Sequence, residues 1–183
     1  MLTHDLSSPS YMSQEGDAML IGLMSDTHDN LPMVDRAVKK LCEHKVELVL
    51  HAGDYVAGFV IPRLIDVKCR LIGVFGNNDG DHELLKKRFS EYSNMEIRDV
   101  FAEIPIDEMR IALLHGSNEE LLEAIIRGNN FDFVVHGHSH TAEKRHVGKT
   151  LVVNPGEVCG YLTGKPTIGI LDTSRREARI IEI

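Results

Sequence analysis

Met19-Leu-Ile-Gly-Leu-Met-Ser-Asp-Thr-His28 begins as a short apolar run and ends abruptly in a polar cluster. The apolar part reads as a strand buried on both faces. The same figure recurs along the chain. Glu47-Leu-Val-Leu-His-Ala-Gly53 runs into Asp54, and Leu71-Ile-Gly-Val-Phe-Gly76 into Asn77-Asn78-Asp79. Ile111-Ala-Leu-Leu114 runs into His115-Gly116, and Phe131-Asp-Phe-Val-Val135 into His136-Gly137-His138-Ser139-His140. Helical patterns lie between these runs. The first covers 34–44, with Asn30 as its expected N-cap and Pro32 in its first turn; the others cover 81–92 and 118–128, the last ended by Gly128. Strand, helix, strand is the grammar of a parallel or mixed sheet, whose ligand sites lie outside the carboxyl ends of the strands. The polar clusters should therefore meet in space.

After His140 the pattern changes to closely spaced strand candidates, 142–147, 150–154, 167–173 and 178–183, separated by Gly148-Lys149, Pro155-Gly156 and Ser174-Arg175. They read as antiparallel strands joined by turns. With 100–106 and 109–114 they bring the total to about ten strands, too many for one twisted sheet in a chain this short. Two packed sheets with helices outside are expected.

The chain has 183 residues, 43% of them hydrophobic and 26% charged, the composition of one globular unit. Residues 1–18 carry no basic n-region or apolar h-region and read as a flexible extension before a domain at 19–183. No run is long enough to span a bilayer. Cys42, Cys69 and Cys159 form no C-x-x-C pair, so each is expected to be a small buried apolar residue in a reducing cytoplasm. The formal charge of -8 repels nucleic acid and anionic membranes as a whole. A phosphate-bearing substrate would need a local source of positive charge.

The strand ends collect Asp26, His28, Asp54, Asn77, His115, His138 and His140: two carboxylates, one amide oxygen and four imidazoles. That mixture suits Mn, Fe, Co, Ni or Zn rather than Ca or Mg, which prefer oxygen alone. Seven groups exceed what one four-coordinate ion uses, whereas two ions sharing a carboxylate would use them all. Two such ions leave the pocket at about +2, supplying the missing attraction for phosphate. Paired ions can clamp both oxygens of an in-line displacement and acidify a bound water, so phosphoester hydrolysis is the natural reaction.

The ordered series Asp26-x-His28, Gly53-Asp54, Gly76-Asn77-x-Asp79, His115-Gly116 and Gly137-His138-x-His140 resembles the signature of the calcineurin-like metallophosphoesterases. The resemblance covers about 20–172, and the short chain and Asn154-Pro155-Gly156 are similar to the small stand-alone phosphodiesterase branch. It implies an α/β fold, a four-layer α-β-β-α sandwich with two mixed β-sheets flanked by helices. It also implies Asp26, His28 and His140 at a first metal, Asn77, His115 and His138 at a second, and Asp54 bridging them, with Asp54 and Asn77 among the catalytic groups. Manganese is the first choice of metal, with Ni, Co, Fe or Zn as substitutes. The nucleophile implied is a hydroxide bridging the two ions, and the substrate a small or nucleotide-like phosphodiester.

One position departs from the family pattern. Asn78 stands where many members carry a histidine that protonates the leaving group, and an amide cannot do this. Leaving groups of low pKa should be favoured, and Asp79 is left to cap the following helix. His136 precedes the matching motif and is expected to be packed beside the site; His51 is expected to be packed in the strand. Asn154-Pro155-Gly156 is expected near the site without a direct chemical role. Alternatives to a phosphodiesterase are a phosphomonoesterase, including a protein phosphatase, and a non-catalytic scaffold of the same fold. Neither a membrane nor nucleic acid is an expected partner, and a homodimer is one oligomeric state left open.

Overall fold

The computed structural model describes residues 19–183, so the extension expected at 1–18 lies outside the described residues. The first half alternates strand and helix: β1 Leu20–Met24, α1 Leu31–Glu43, β2 Leu48–His51, α2 Ile61–Leu64 continued by a 3-10 turn at Ile65–Val67, β3 Arg70–Gly73, α3 His82–Ser90 and β4 Met95–Ile97. The second half contains β5 Phe101–Ile106, β6 Met109–Leu114, α4 Glu119–Gly128, β7 Phe133–Val135, β8 Glu143–Val147, β9 Thr150–Asn154, β10 Thr167–Asp172 and β11 Glu177–Glu182.

These strands form two mixed sheets, ordered β11-β10-β1-β2-β3-β4 and β5-β6-β7-β9-β8. In the first, β1 through β4 are parallel and β10 and β11 join antiparallel. In the second, β6, β7 and β9 are parallel while β5 and β8 are antiparallel edges. Pro105 is confined to the edge strand β5, where its missing N–H costs no ladder bond.

Three apolar layers hold an α-β-β-α sandwich together. Between the sheets lie Leu48 and Leu50 of β2 against Ile111, Leu113, Phe133 and Val135. Val49, on the opposite face of β2, packs instead toward Val34, Ala37, Val38 and Leu41, the buried stripe of α1. Leu122 and Ile126 of α4 cover Ala112, Leu114, Val134 and Val152 on the outer face of the second sheet. Both faces of the central strands are buried, and for that reason their sequences read as continuous apolar runs.

Several expectations are corrected. The strands after His140 do not form one antiparallel set: β8–β9 and β10–β11 are hairpins in different sheets, and β9 runs parallel to β7. Pro155-Gly156 is therefore the start of a crossover, placed there because β10 completes the first sheet beside β1. Helix α2 went unread because four residues including Pro62 carry too little periodicity. Asn30 occupies the N-cap position of α1 without capping it; its side chain donates to Cys159 O at 2.8 Å instead. Helix α3 is capped by Asp81, not by Asp79, whose carboxylate is engaged elsewhere. Among the three cysteines only Cys159 is buried, whereas Cys42 is exposed and Cys69 half-buried.

Candidate metal centre

The carboxyl ends of β1, β2, β3, β6 and β7 open on one edge of the sandwich, and the polar clusters gather there. The backbone is tied across the strands before any side chain is considered. Asp26 N donates to Gly53 O at 3.0 Å, and Thr27 N and His28 N both donate to Asp54 O at 3.1 Å. Gly137 N donates to His115 O at 2.9 Å, linking the second sheet's loops. A methyl group at Gly137 would lie 1.9 Å from Ser25 Oγ and 2.7 Å from Asp26 Oδ2, so only glycine lets the two loops approach.

Asp26, His28, Asp54, His138 and His140 all have positive φ, between 40° and 68°. Asp and His enter this region more readily than most residues, but five together concentrate backbone strain at one place, as sites of function do. Val56, at φ 78°, is a sharper outlier for a β-branched residue. Asp79 explains how it is held. Its Oδ1 accepts from Tyr55 N at 2.7 Å and Val56 N at 2.8 Å, and its Oδ2 from Gly76 N at 2.7 Å and Asp54 N at 3.2 Å. Burial raises the pKa of this carboxyl, against the pull of its backbone donors.

The side chains converge on Asp54. Its Oδ2 lies 3.4 Å from His28 Nε2 and 3.3 Å from His115 Nε2. His115 Nε2 is also 3.0 Å from Asn77 Oδ1, and the His138 ring packs edge-on to His115 with centroids 5.2 Å apart. On the other side His140 Nε2 lies 3.4 Å, and His28 Nε2 3.8 Å, from Asp26 Oδ1. Ligand atoms of Asp26, His28, Asp54 and His140 lie within 4.8 Å of one another, and His115 links Asp54 to Asn77 and His138.

These donors fit a divalent cation on three grounds. Asp26 Oδ1 and His28 Nε2 are buried without a hydrogen-bond partner, an arrangement that is costly unless a cation completes it. His115 Nδ1 donates to Ala52 O at 2.7 Å and His140 Nδ1 to Glu157 Oε2 at 2.8 Å, which leaves each Nε2 lone pair facing inward, as in metal-ligating histidines. The local potential is also negative. The Asp26 carboxylate nearby raises the pKa of His28 against burial, and at His115 the Asp54 carboxylate outweighs burial and raises it too. Burial would raise the pKa of Asp54, but the His115 ring facing it and the hydrogen bonds from Asn78 outweigh burial and hold the carboxyl well below the usual range. A field that favours a proton on imidazole favours a cation in its place.

Asn78 does not point outward as a proton donor would. Its N–H and Nδ2 donate to Asp54 Oδ1 and Oδ2 at 2.8 and 2.7 Å, so it orients that carboxylate. His136 is buried, donates from Nδ1 to Gly137 O, and lies outside the cluster. His51 is fully buried, stacked on Tyr55, and accepts from Gly53 N; burial pushes its pKa down to about 3. Asn154 donates to Gly137 O and Ser139 Oγ, bracing the loop that carries His138 and His140.

Glu157 escaped the sequence reading. Its carboxylate accepts from His140 Nδ1, Cys159 Sγ, Leu162 N, and Thr163 N and Oγ1. Burial opposes its charge, but the His140 and Thr163 hydrogen bonds prevail and hold its pKa at about 2. It follows Asn154-Pro155-Gly156 without belonging to a recognisable ligand pattern. Glu157→Gln should weaken divalent-ion affinity by roughly 10 to 100-fold, the usual effect of removing the carboxylate behind a ligating histidine. Competition against a chromogenic chelator measures it, and unchanged affinity would reduce Glu157 to a loop brace.

The model of the calcineurin-like phosphoesterase superfamily domain matches residues 19–176. The phosphodiesterase MJ0936 of Methanocaldococcus jannaschii is 42% identical over 163 residues, 89% of this chain and 98% of that protein. The phosphodiesterase YfcE of Escherichia coli K12 is 26% identical over 170 residues, 84% of this chain and 88% of that protein. A solved archaeal phosphodiesterase superposes with a TM-score of 0.86 at 42% identity, covering 90% of this chain and 100% of its own. Vps29 of Chaetomium thermophilum, at 17% identity and a TM-score of 0.65 over 90% of this chain and 94% of its own, shares the fold.

Proposed function

The chain belongs to the calcineurin-like phosphoesterase superfamily and is a metallophosphoesterase; on that premise we propose that it hydrolyses a small or nucleotide-like phosphodiester at two divalent transition-metal ions. The observation that carries this reading is the cluster of Asp26, His28, Asp54 and His140, continued through His115, with Asp26 Oδ1 and His28 Nε2 buried and unpartnered. Asp26, His28 and His140 would hold one ion, Asn77, His115 and His138 the other, and Asp54, lying between His28 and His115, would be shared. Ions there would neutralise the phosphate and bring a bound water's pKa to where hydroxide exists at neutral pH.

The chain's own groups do the rest. Asp54 stays anionic at any working pH, and Asn78 fixes its plane. Ala52 O and Glu157 keep His115 and His140 in the tautomer that leaves Nε2 free. No acid stands at position 78, so the leaving oxygen departs without a proton from that position, which favours diesters of acidic alcohols. Manganese is the preferred ion, with Ni, Co, Fe or Zn as alternatives on the N/O donor set.

The test is hydrolysis of bis(4-nitrophenyl) phosphate and 4-nitrophenyl phosphate by chelator-stripped protein with single ions restored. Stripping should abolish diester cleavage, Mn or another transition ion should restore it, Ca should not, and the monoester should react more slowly. Silence with every ion despite binding of two per chain would overturn the reading in favour of a binding protein.

A further inference from the structure

Beside the candidate metal centre lies an open groove of about 290 Å³ that shares Asn77 and His115 with it. Its floor is apolar and buried, formed by Phe75 and Leu114. Two exposed apolar side chains flank it, Val100 just ahead of β5 at 58% exposed and Leu121 in the first turn of α4 at 45%, with the uncharged Ser117 and Asn118 also lining it. The groove is lined by no Asp, Glu, Lys or Arg. Across Gly116 the neighbouring hollow beside His138 is different in kind, lined by Glu119, Glu123, Glu143 and Arg145.

We propose that this groove is a substrate subsite that holds a planar aromatic ring, aryl or nucleobase, carried on one ester arm of the phosphodiester. The proposal rests on the phosphodiesterase reading, because Asn77 and His115 then fix where phosphorus sits. One ester arm of a phosphate held at those residues can extend past them, and the groove begins where they end. The groove beyond Asn77 and His115 has no cationic side chain, so the phosphate belongs at the metal centre at its mouth, and the acidic hollow on the other side repels it.

Size and shape choose the ring. An apolar cavity of roughly 150 Å³ holds a benzene ring, so about 290 Å³ accommodates a substituted aryl or a base but is generous for a methyl or glyceryl arm. The floor is also rigid. The Phe75 ring is stacked by His82 at 3.8 Å between centroids and 1° between planes, so it cannot swing to fill the space. Covering Val100 and Leu121 with a ring removes apolar surface from water, the main source of binding free energy for such an arm.

The experiment compares single-armed anions as competitive inhibitors of the metal-loaded enzyme: methylphosphonate, phenylphosphonate and thymidine 5′-monophosphate. Phenylphosphonate or the nucleotide should bind about 10-fold or more tightly than methylphosphonate, the discrimination an apolar pocket supplies. Preference for the first marks an aryl arm, for the second a nucleoside arm. Leu121→Ser and Val100→Ser, at exposed positions outside the metal cluster, should each erase most of that preference while leaving the methylphosphonate constant within about two-fold. Equal inhibition by all three anions in the wild type, or a preference that survives both substitutions, overturns the subsite while leaving the phosphodiesterase reading standing. A change of sedimentation coefficient in the variants with kinetics unaltered also overturns it, assigning the groove to contact between copies of this chain. Absence of diester hydrolysis by the wild type would be failure of the underlying reading instead.

Discussion

Asp54→Asn should lower bis(4-nitrophenyl) phosphate hydrolysis by at least about 1,000-fold, on the order of 4 kcal/mol of transition-state stabilisation, with the fold retained. The shape is preserved, since asparagine fills the same volume and tolerates the positive φ of 61° at this position. Its N–H still meets Asp79, because the substitution leaves the backbone untouched. What changes is charge, in the group that stands between His28 and His115 at 3.4 and 3.3 Å. With Asp54 neutral, Asp26 alone is left as a carboxylate among the seven donors, and an amide cannot serve two cations as a carboxylate does. Glycine is required at position 76, because a Cβ there would meet Asp54 Oδ1 at 2.1 Å. On the proposed two-ion site, metal content by elemental analysis should fall to one ion per chain or fewer. Full activity in the variant, or two ions still bound, would remove Asp54 from the centre of the site.

The second large effect falls on stability. Asp79→Ala should destabilise the protein by roughly 3 kcal/mol or more, because it strips the acceptor from four backbone N–H groups at once and buried donors left unpaired cost about 1–3 kcal/mol each. Asp79 is only 6% exposed, so water replaces the carboxylate poorly. For a chain of this size the melting temperature should fall by roughly 6–12 °C. Val56, released from its strained φ of 78°, should relax first and carry Asp54 with it, so activity should fall along with stability. Asp81→Ala is the control. It removes only the cap donated to by Leu84 N at 2.9 Å, and should cost about 1 kcal/mol with activity unchanged. Equal melting temperatures for the two variants would return Asp79 to the minor role of a turn residue.

Asp79 and Asp81 also show where sequence reasoning stops. Both are acidic residues just before a helix, and nothing local separates a cap from a staple. The difference is made by residues 54–56, brought beside position 79 by the parallel pairing of β2 with β3. Glu157 was illegible for the same reason, since its partner His140 lies across the crossover that carries the chain from β9 to β10. The hairpins after His140 were each legible as pairs, but their division between two sheets was not. Turn residues specify who follows whom, while the choice of sheet is made by which apolar face needs covering.

By itself the sequence determined the class of fold and the candidate donors. Buried parallel strands must be continuously apolar, their carboxyl ends must be polar where they leave the sheet, and that alternation is written locally, from Met24 into Ser25 to Val135 into His136. Only the tertiary structure decided how those donors are held. The left-handed backbone at Asp26, Asp54 and His140, the inward-facing Nε2 atoms of His115 and His140, the clamp of Asn78 on Asp54 and the apolar groove beside Asn77 all arise between elements far apart in the chain. Periodicity reports what a residue's own strand or helix requires of it. Strain, tautomer and cavity shape are set by neighbours that arrive only when the two sheets close on one another.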